Sequence, residues 1–144
     1  MLSQRIFAIV VGILMLSSVA GFAIMNVYQA PPENTIPSII DKPLGPQDRV
    51  YILQTGRVLI EYLYPEGCTD CSEKIALYQS FVNNFKDYAV LELAEVPANE
   101  TADRIIGNYG DTMELGNVTT GQDFMAVFCS VAMKQPKECL IMEM

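Results

Sequence analysis

Histidine and tryptophan are absent from this 144-residue chain, and cations are few: 9 Lys and Arg stand against 17 Asp and Glu, a formal charge of -8. Each shortage closes a class of function. Without histidine there is no Ser-His-Asp hydrolysis, no Cys-His proteolysis and no imidazole zinc site. An acidic chain lacks the clustered positive face that a phosphate backbone requires, so nucleic acid is not expected as a partner. No glycine-rich phosphate cradle occurs either, and no cofactor or metal is expected. Chemistry is left to cysteine, carboxylate, tyrosine and lysine. The cysteines number four, and all follow residue 67.

Hydrophobic residues make up 51% of the chain, and the excess is concentrated at the amino-terminal end. From Ile6 to Met25 there is no charge, and about 20 such residues suffice to cross a bilayer as a helix. Residues 1–28 are therefore read as a membrane anchor. Arg5 biases the start toward the cytoplasm, which places the remainder on the extracytoplasmic side as a single-pass protein. A signal peptide is the competing reading, with Ser18-Val19-Ala20 as small residues at a cleavage site. Residues 29–49 hold Pro31, Pro32, Pro37, Pro43 and Pro46 among polar residues, a composition that favours an extended spacer; the alternative is a loop packed on the domain. That leaves 50–144 for the folded domain. Asn99-Glu100-Thr101 and Asn117-Val118-Thr119 are candidate glycosylation sites in an exported chain.

The run Arg57 to Tyr64 is β-branched and aromatic with one internal acid, Glu61, and ends at Pro65-Glu66-Gly67, which predicts a buried strand and a turn. From Thr69 to Phe85, apolar residues recur at Ile75, Tyr78, Phe81, Val82 and Phe85, with Asp70 and Glu73 near the start. This is the pattern of an amphipathic helix. Tyr88 to Val96 reads as a second strand stopped by Pro97. Ala98 to Tyr109 is expected to be a short helix with Asn99 as N-cap and Ile105 and Ile106 buried. Phe124 to Met133 and Glu138 to Met144, parted by Lys134-Gln135-Pro136-Lys137, read as a hairpin. Before the first strand, Pro46 to Thr55 is read as a short helix closed by Gly56, with a strand over Val50 to Gln54 as the alternative. The expected order is βαβαββ, an α/β domain whose first crossover is right-handed and parallel.

Cys68-Thr69-Asp70-Cys71 falls where the first strand hands over to the helix. A thiol at a helix start meets unpaired backbone N–H groups and the positive end of the dipole, which favour its thiolate, the attacking species. A second thiol one turn on can resolve a mixed disulfide. Asp70 between them opposes the dipole. A four-cysteine zinc site would need a second close pair, and Cys129 and Cys139 are too far apart for one. In the expected hairpin, a turn centred on Lys134 sets Cys129 opposite Cys139, which reads as a structural disulfide stapling the tail.

The stretch from Val58 to Tyr64, the turn Pro65-Glu66-Gly67-Cys68-Thr69-Asp70-Cys71, the helix after it and the strand Val90 to Leu93 together resemble the thioredoxin and glutaredoxin superfamily. The likeness spans roughly residues 57–144. It implies a thioredoxin-like sheet, Cys68 as the exposed nucleophile and Cys71 as the buried resolving thiol. It also makes Glu61 a candidate proton shuttle, unless that side chain faces solvent from an edge strand. The chain departs from the family at Gly67, where tryptophan is usual. It has no proline between Pro97 and Pro136, so Thr120, Gly121 or Gln122 is expected where the family's cis-proline faces the sulfurs. The family's last helix is expected to be missing, which would leave one sheet face open. Motif and location together imply a membrane-anchored thiol-disulfide oxidoreductase acting on exported protein thiols or on a redox partner protein. The alternative from another class is a non-catalytic thioredoxin-like binding or scaffolding module with structural disulfides.

Overall fold

The computed structural model describes residues 36–142. The apolar run Ile6 to Met25 lies outside them; among the described residues, no helix is long and apolar enough to cross a membrane. The chain forms a mixed α/β domain: β1 (Ile39–Ile40), α1 (Pro46–Gln54), β2 (Val58–Pro65), α2 (Cys71–Asn84), β3 (Ala89–Val96), β4 (Ala102–Ile106), β5 (Thr112–Glu114), α3 (Gly121–Val131) and α4 (Lys137–Met142). The five strands make one sheet in the order β1-β3-β2-β4-β5. β3 runs parallel to both β1 and β2, whereas β4 is antiparallel to β2 and to β5.

β2 is central because its residues are apolar on both faces, as a doubly covered strand requires. Val58, Ile60 and Tyr62 enter a core with Tyr78, Phe81 and Val82 of α2 and Phe124, Phe128 and Val131 of α3. Leu59 points the other way and packs with Ile52 of α1, Ile40 and Val90. The aromatic rings join α3 to α2: Phe81 lies 4.4 Å from Phe124 and 5.1 Å from Phe128, centroid to centroid. Burying each phenylalanine is worth about 1.5–3 kcal/mol, so α3 holds its sheet face without help from propensity.

Several expectations are corrected. The stretch read as a spacer joins the domain from Ile36 onward, because β1 pairs Ile39 with Leu91 and α1 places Ile52 in the core. The helix over Pro46 to Thr55 does form, with proline in its first turn and Gly56 beyond its end at φ +83°. Ala98 to Tyr109 is not a helix. Glu100 N donates to Pro97 O at 2.9 Å in a turn, and β4 follows. Ile105 and Ile106 point to opposite faces of that strand, each into a different core, which a helix could not arrange for adjacent residues.

The tail is not a hairpin either. Phe124, Phe128 and Val131 are the buried side chains, at the i, i+4, i+7 spacing of one helix face. Thr120 caps α3: its hydroxyl oxygen accepts from Asp123 N at 3.2 Å, and its hydroxyl donates to the Asp123 carboxylate at 2.6 Å. α3 therefore covers the sheet face expected to be open. Thr120, Gly121 and Gln122 open this helix, and the residue that precedes β4 is Thr101.

Candidate functional site

The link from β2 to α2 is a tight turn. Gly67 adopts φ +72°, a left-handed conformation that favours glycine, and Cys68 N donates to Pro65 O at 3.2 Å. Gly67 N donates to the Glu95 carboxylate at 3.0 Å, which ties the turn to the end of β3. Cys71 is the first residue of α2, and no side chain caps that helix start. Cys68 and Cys71 are joined as a disulfide, with Cα atoms 5.7 Å apart. Cys68 is half-buried, whereas Cys71 is 8% exposed and packs in the same core as Tyr62. The outer sulfur therefore sits where the helix start favours negative charge.

Behind the pair, on the same face of the sheet, lies a polar cluster that the sequence did not suggest. Lys74, one turn along α2 from Cys71, bonds the Asp103 carboxylate of β4 and donates to Leu115 O at 3.1 Å. Tyr78 OH donates to Asp103 at 2.7 Å. Burial, then that hydrogen bond to Asp103, pushes the Tyr78 phenol far above its ordinary range, so it stays protonated and donating. The Lys74 ammonium lies 6.0 Å from the Tyr62 ring centroid, and Tyr62 is the register partner of Asp103.

Glu61 is not beside the cysteines. It alternates with Ile60 and Tyr62, so it points to the α1 face, away from Cys71. It does not face solvent from an edge: β2 is the middle strand and Glu61 is fully buried. Arg49 of α1 reaches it at 2.9 Å, and Arg104 of β4 bonds its other oxygen. Its neighbour across the parallel ladder is Glu92, also fully buried, which accepts from Arg49 at 3.1 Å and from Leu44 N at 2.8 Å. Burial pushes the Glu92 carboxyl up, against the Leu44 N–H and Arg49, with Glu61 adding to the rise. Two charged residues inside apolar strands, Glu61 and Glu92, were the signal for this cluster. Their partner Arg49 lies 43 residues from Glu92 in the chain, and only the fold connects them.

Cys129 and Cys139 are disulfide-bonded, with Cα atoms 5.5 Å apart. The pairing is the expected one but its geometry is not, since it ties α3 to α4 rather than bridging two strands. Gln135 supports the connection by donating to Cys129 O at 2.8 Å. Asn99 and Asn117 are both exposed, in turns between elements, as glycan acceptors must be. Among the described residues, no group of three or more acids and cysteines is placed to hold a metal ion.

Two clefts are lined in part by residues of the β2-α2 connection. One, of ≈ 370 Å³, is walled by Tyr62, Tyr64, Pro65, Ala102 and Glu114; the other, of ≈ 200 Å³, by Asp70, Glu73, Lys74, Leu77 and Thr119. Neither cysteine lines a cleft; Pro65 of the first and Asp70 of the second are their neighbours in the chain, and Cys68 is the more exposed member of the pair. Comparison with family models, with curated protein sequences and with solved structures returned no match for the chain.

Proposed function

We propose that this chain is a thiol-disulfide exchange protein of thioredoxin-like fold, held on the extracytoplasmic side by an amino-terminal membrane segment. The observation that carries the reading is the Cys68–Cys71 disulfide at the start of α2, with Cys68 half-buried and Cys71 packed in the core. The parallel β2-α2-β3 crossover that presents it supports the resemblance on which the fold assignment rests. The location rests on the uncharged run Ile6 to Met25 and on two disulfides, which persist in oxidising compartments.

In this reading, a substrate thiolate attacks Cys68 Sγ, the Cys68–Cys71 bond breaks, and Cys71 leaves as a thiolate. A second substrate thiolate then attacks the substrate sulfur of the mixed disulfide and releases Cys68. The substrate dithiol is oxidised, the pair is reduced by two electrons, and the two substrate protons pass to the released thiolates or to solvent. The reverse sequence reduces a substrate disulfide. Asp103, held by Lys74 and Tyr78, is a carboxylate on the cysteine face of the sheet, and Glu61 has no part in the step.

The reduction potential of the pair, measured with thiol alkylation of the reduced chain, tests the proposal. Exchange predicts a potential above about -300 mV, Cys68 alkylated faster than Cys71, and loss of exchange in Cys68→Ser. A potential well below about -300 mV with no exchange at either cysteine establishes the non-catalytic alternative, a binding module with a fixed disulfide.

A further inference from the structure

We infer that the Cys68–Cys71 site selects partner segments that carry lysine or arginine beside their cysteines. The inference rests on the exchange reading above and names its substrate class. Glu66 and Asp70 are exposed on either side of Cys68, and Glu73 is exposed in the first turn of α2. Glu95, also exposed, is fixed at the turn by its bond to Gly67 N. Asp70 and Glu73 also line the smaller cleft, and Pro65, whose carbonyl accepts from Cys68 N, lines the larger.

Arg104 and Lys74 are the cations that line these clefts, and both are already engaged. Arg104 bonds Glu61, its register partner on the neighbouring strand, and Lys74 is held by Asp103 and by Leu115 O and Gly116 O, the last at 3.4 Å. Among the described residues, no cation pairs with the rim carboxylates, on a chain whose formal charge is already -8. With Glu66, Asp70 and Glu73 within five residues of Cys68 and Glu95 tied to the same turn, a cationic segment gains from the field around the pair and an acidic one is repelled. Field lines focused at such a site raise association rates of the complementary ligand by tenfold or more at low ionic strength.

The test uses the full chain in uncharged detergent and three synthetic dithiol peptides of equal length, with cysteines flanked by lysines, serines or glutamates. Each rate of reduction of Cys68–Cys71 is divided by the same peptide's rate toward 2-hydroxyethyl disulfide, which removes differences in intrinsic thiol reactivity. The expected order is Lys over Ser over Glu, with about a tenfold Lys-to-Glu ratio in 20 mM salt that falls below about twofold near 1 M, where screening acts within about 3 Å. Glu66→Gln with Glu73→Gln should lower that ratio to about threefold or less. Asp87→Asn with Asp111→Asn makes the same charge change at the opposite end of the sheet and should leave the ratio in place. Dithiothreitol, uncharged and small, separates the two ideas: if it does not reduce the pair, the exchange reading itself fails. If it does, while the Lys and Glu peptides react within twofold of each other or both variant pairs lower the ratio alike, the rim does not select and this inference is overturned.

Discussion

Replacing Cys129 and Cys139 together by alanine tests how the carboxy-terminal helix is held. α4 is six residues long and turns Leu140 and Ile141 outward, so Cys139 is its buried anchor in the core. The cysteines are ten residues apart, and the chain-entropy relation for a loop of that length gives about 2.7 kcal/mol at 25 °C. Loss of the buried Cys139 sulfur adds a packing term of the same sign. In a domain of this size, 1 kcal/mol moves the midpoint by roughly 4–8 °C, so the double variant should melt roughly 11–22 °C lower. Hydrogen exchange should show the α4 amides losing protection first, while dithiothreitol still reduces Cys68–Cys71 at its usual rate. A midpoint within about 3 °C of the parent, with α4 still protected, would refute the idea that the disulfide rather than side-chain packing docks this helix.

The buried charge cluster and a close backbone contact supply two more tests. Glu61→Gln leaves Arg49 and Arg104 short of a counter-charge; since these are 28% and 36% exposed, the cost should be about 2–3 kcal/mol by denaturant unfolding, below that of a fully buried pair. Burial holds the Glu92 pKa above its ordinary 4.5, so the folded chain binds that proton more tightly than the unfolded one. Its stabilising contribution is complete below pH 4.5 and is lost as pH rises through the raised value. Glu92→Gln should therefore gain stability relative to the parent between pH 4.5 and 7.5, and a constant difference between the two proteins across that window would show that no such linkage exists. At Gly107, an added Cβ would lie 2.6 Å from Val131 O, so Gly107→Ala should cost about 1–3 kcal/mol by forcing the end of α3 off the sheet; a loss under about 0.5 kcal/mol would mean that the helix end moves freely.

β2 and β3 are legible as short apolar runs stopped by Pro65-Glu66-Gly67 and by Pro97, and α2 because its apolar residues recur at spacings of three and four. Phe124 to Met133 is not, because the run is apolar at both strand and helix spacing, and its length of ten suits either. The cue that decides it is Thr120 three residues before Asp123, a capping pair just ahead of Phe124. Ile105 and Ile106 misled in the opposite sense, since adjacent isoleucines suit a strand buried on both faces as well as a helix. The cysteine pair could be read from spacing because its members are local. The Lys74-Asp103-Tyr78 cluster could not, for it joins residues 25 and 29 positions apart that meet only when β4 pairs with β2. The tail disulfide is legible as a pairing but not as a geometry, because sulfurs ten residues apart can meet across a helix-turn-helix as well as across a hairpin.

The sheet narrows sharply from its middle to its rims. β2 and β3 are eight residues each, β4 is five, and the outer strands β1 and β5 are only two and three. An edge strand presents unpaired N–H and C=O groups to any neighbouring chain, and the length of that row sets how well it templates self-association. Two or three residues offer too short a row to hold a second copy in register, and β5 adds the charge of Glu114 to its exposed edge. Where many copies are crowded along one surface, edge-to-edge polymerisation is the hazard of an open sheet, and the two terminal strands themselves leave it little purchase, so the stretch of β3 beyond its two residues paired with β1 is the edge to guard.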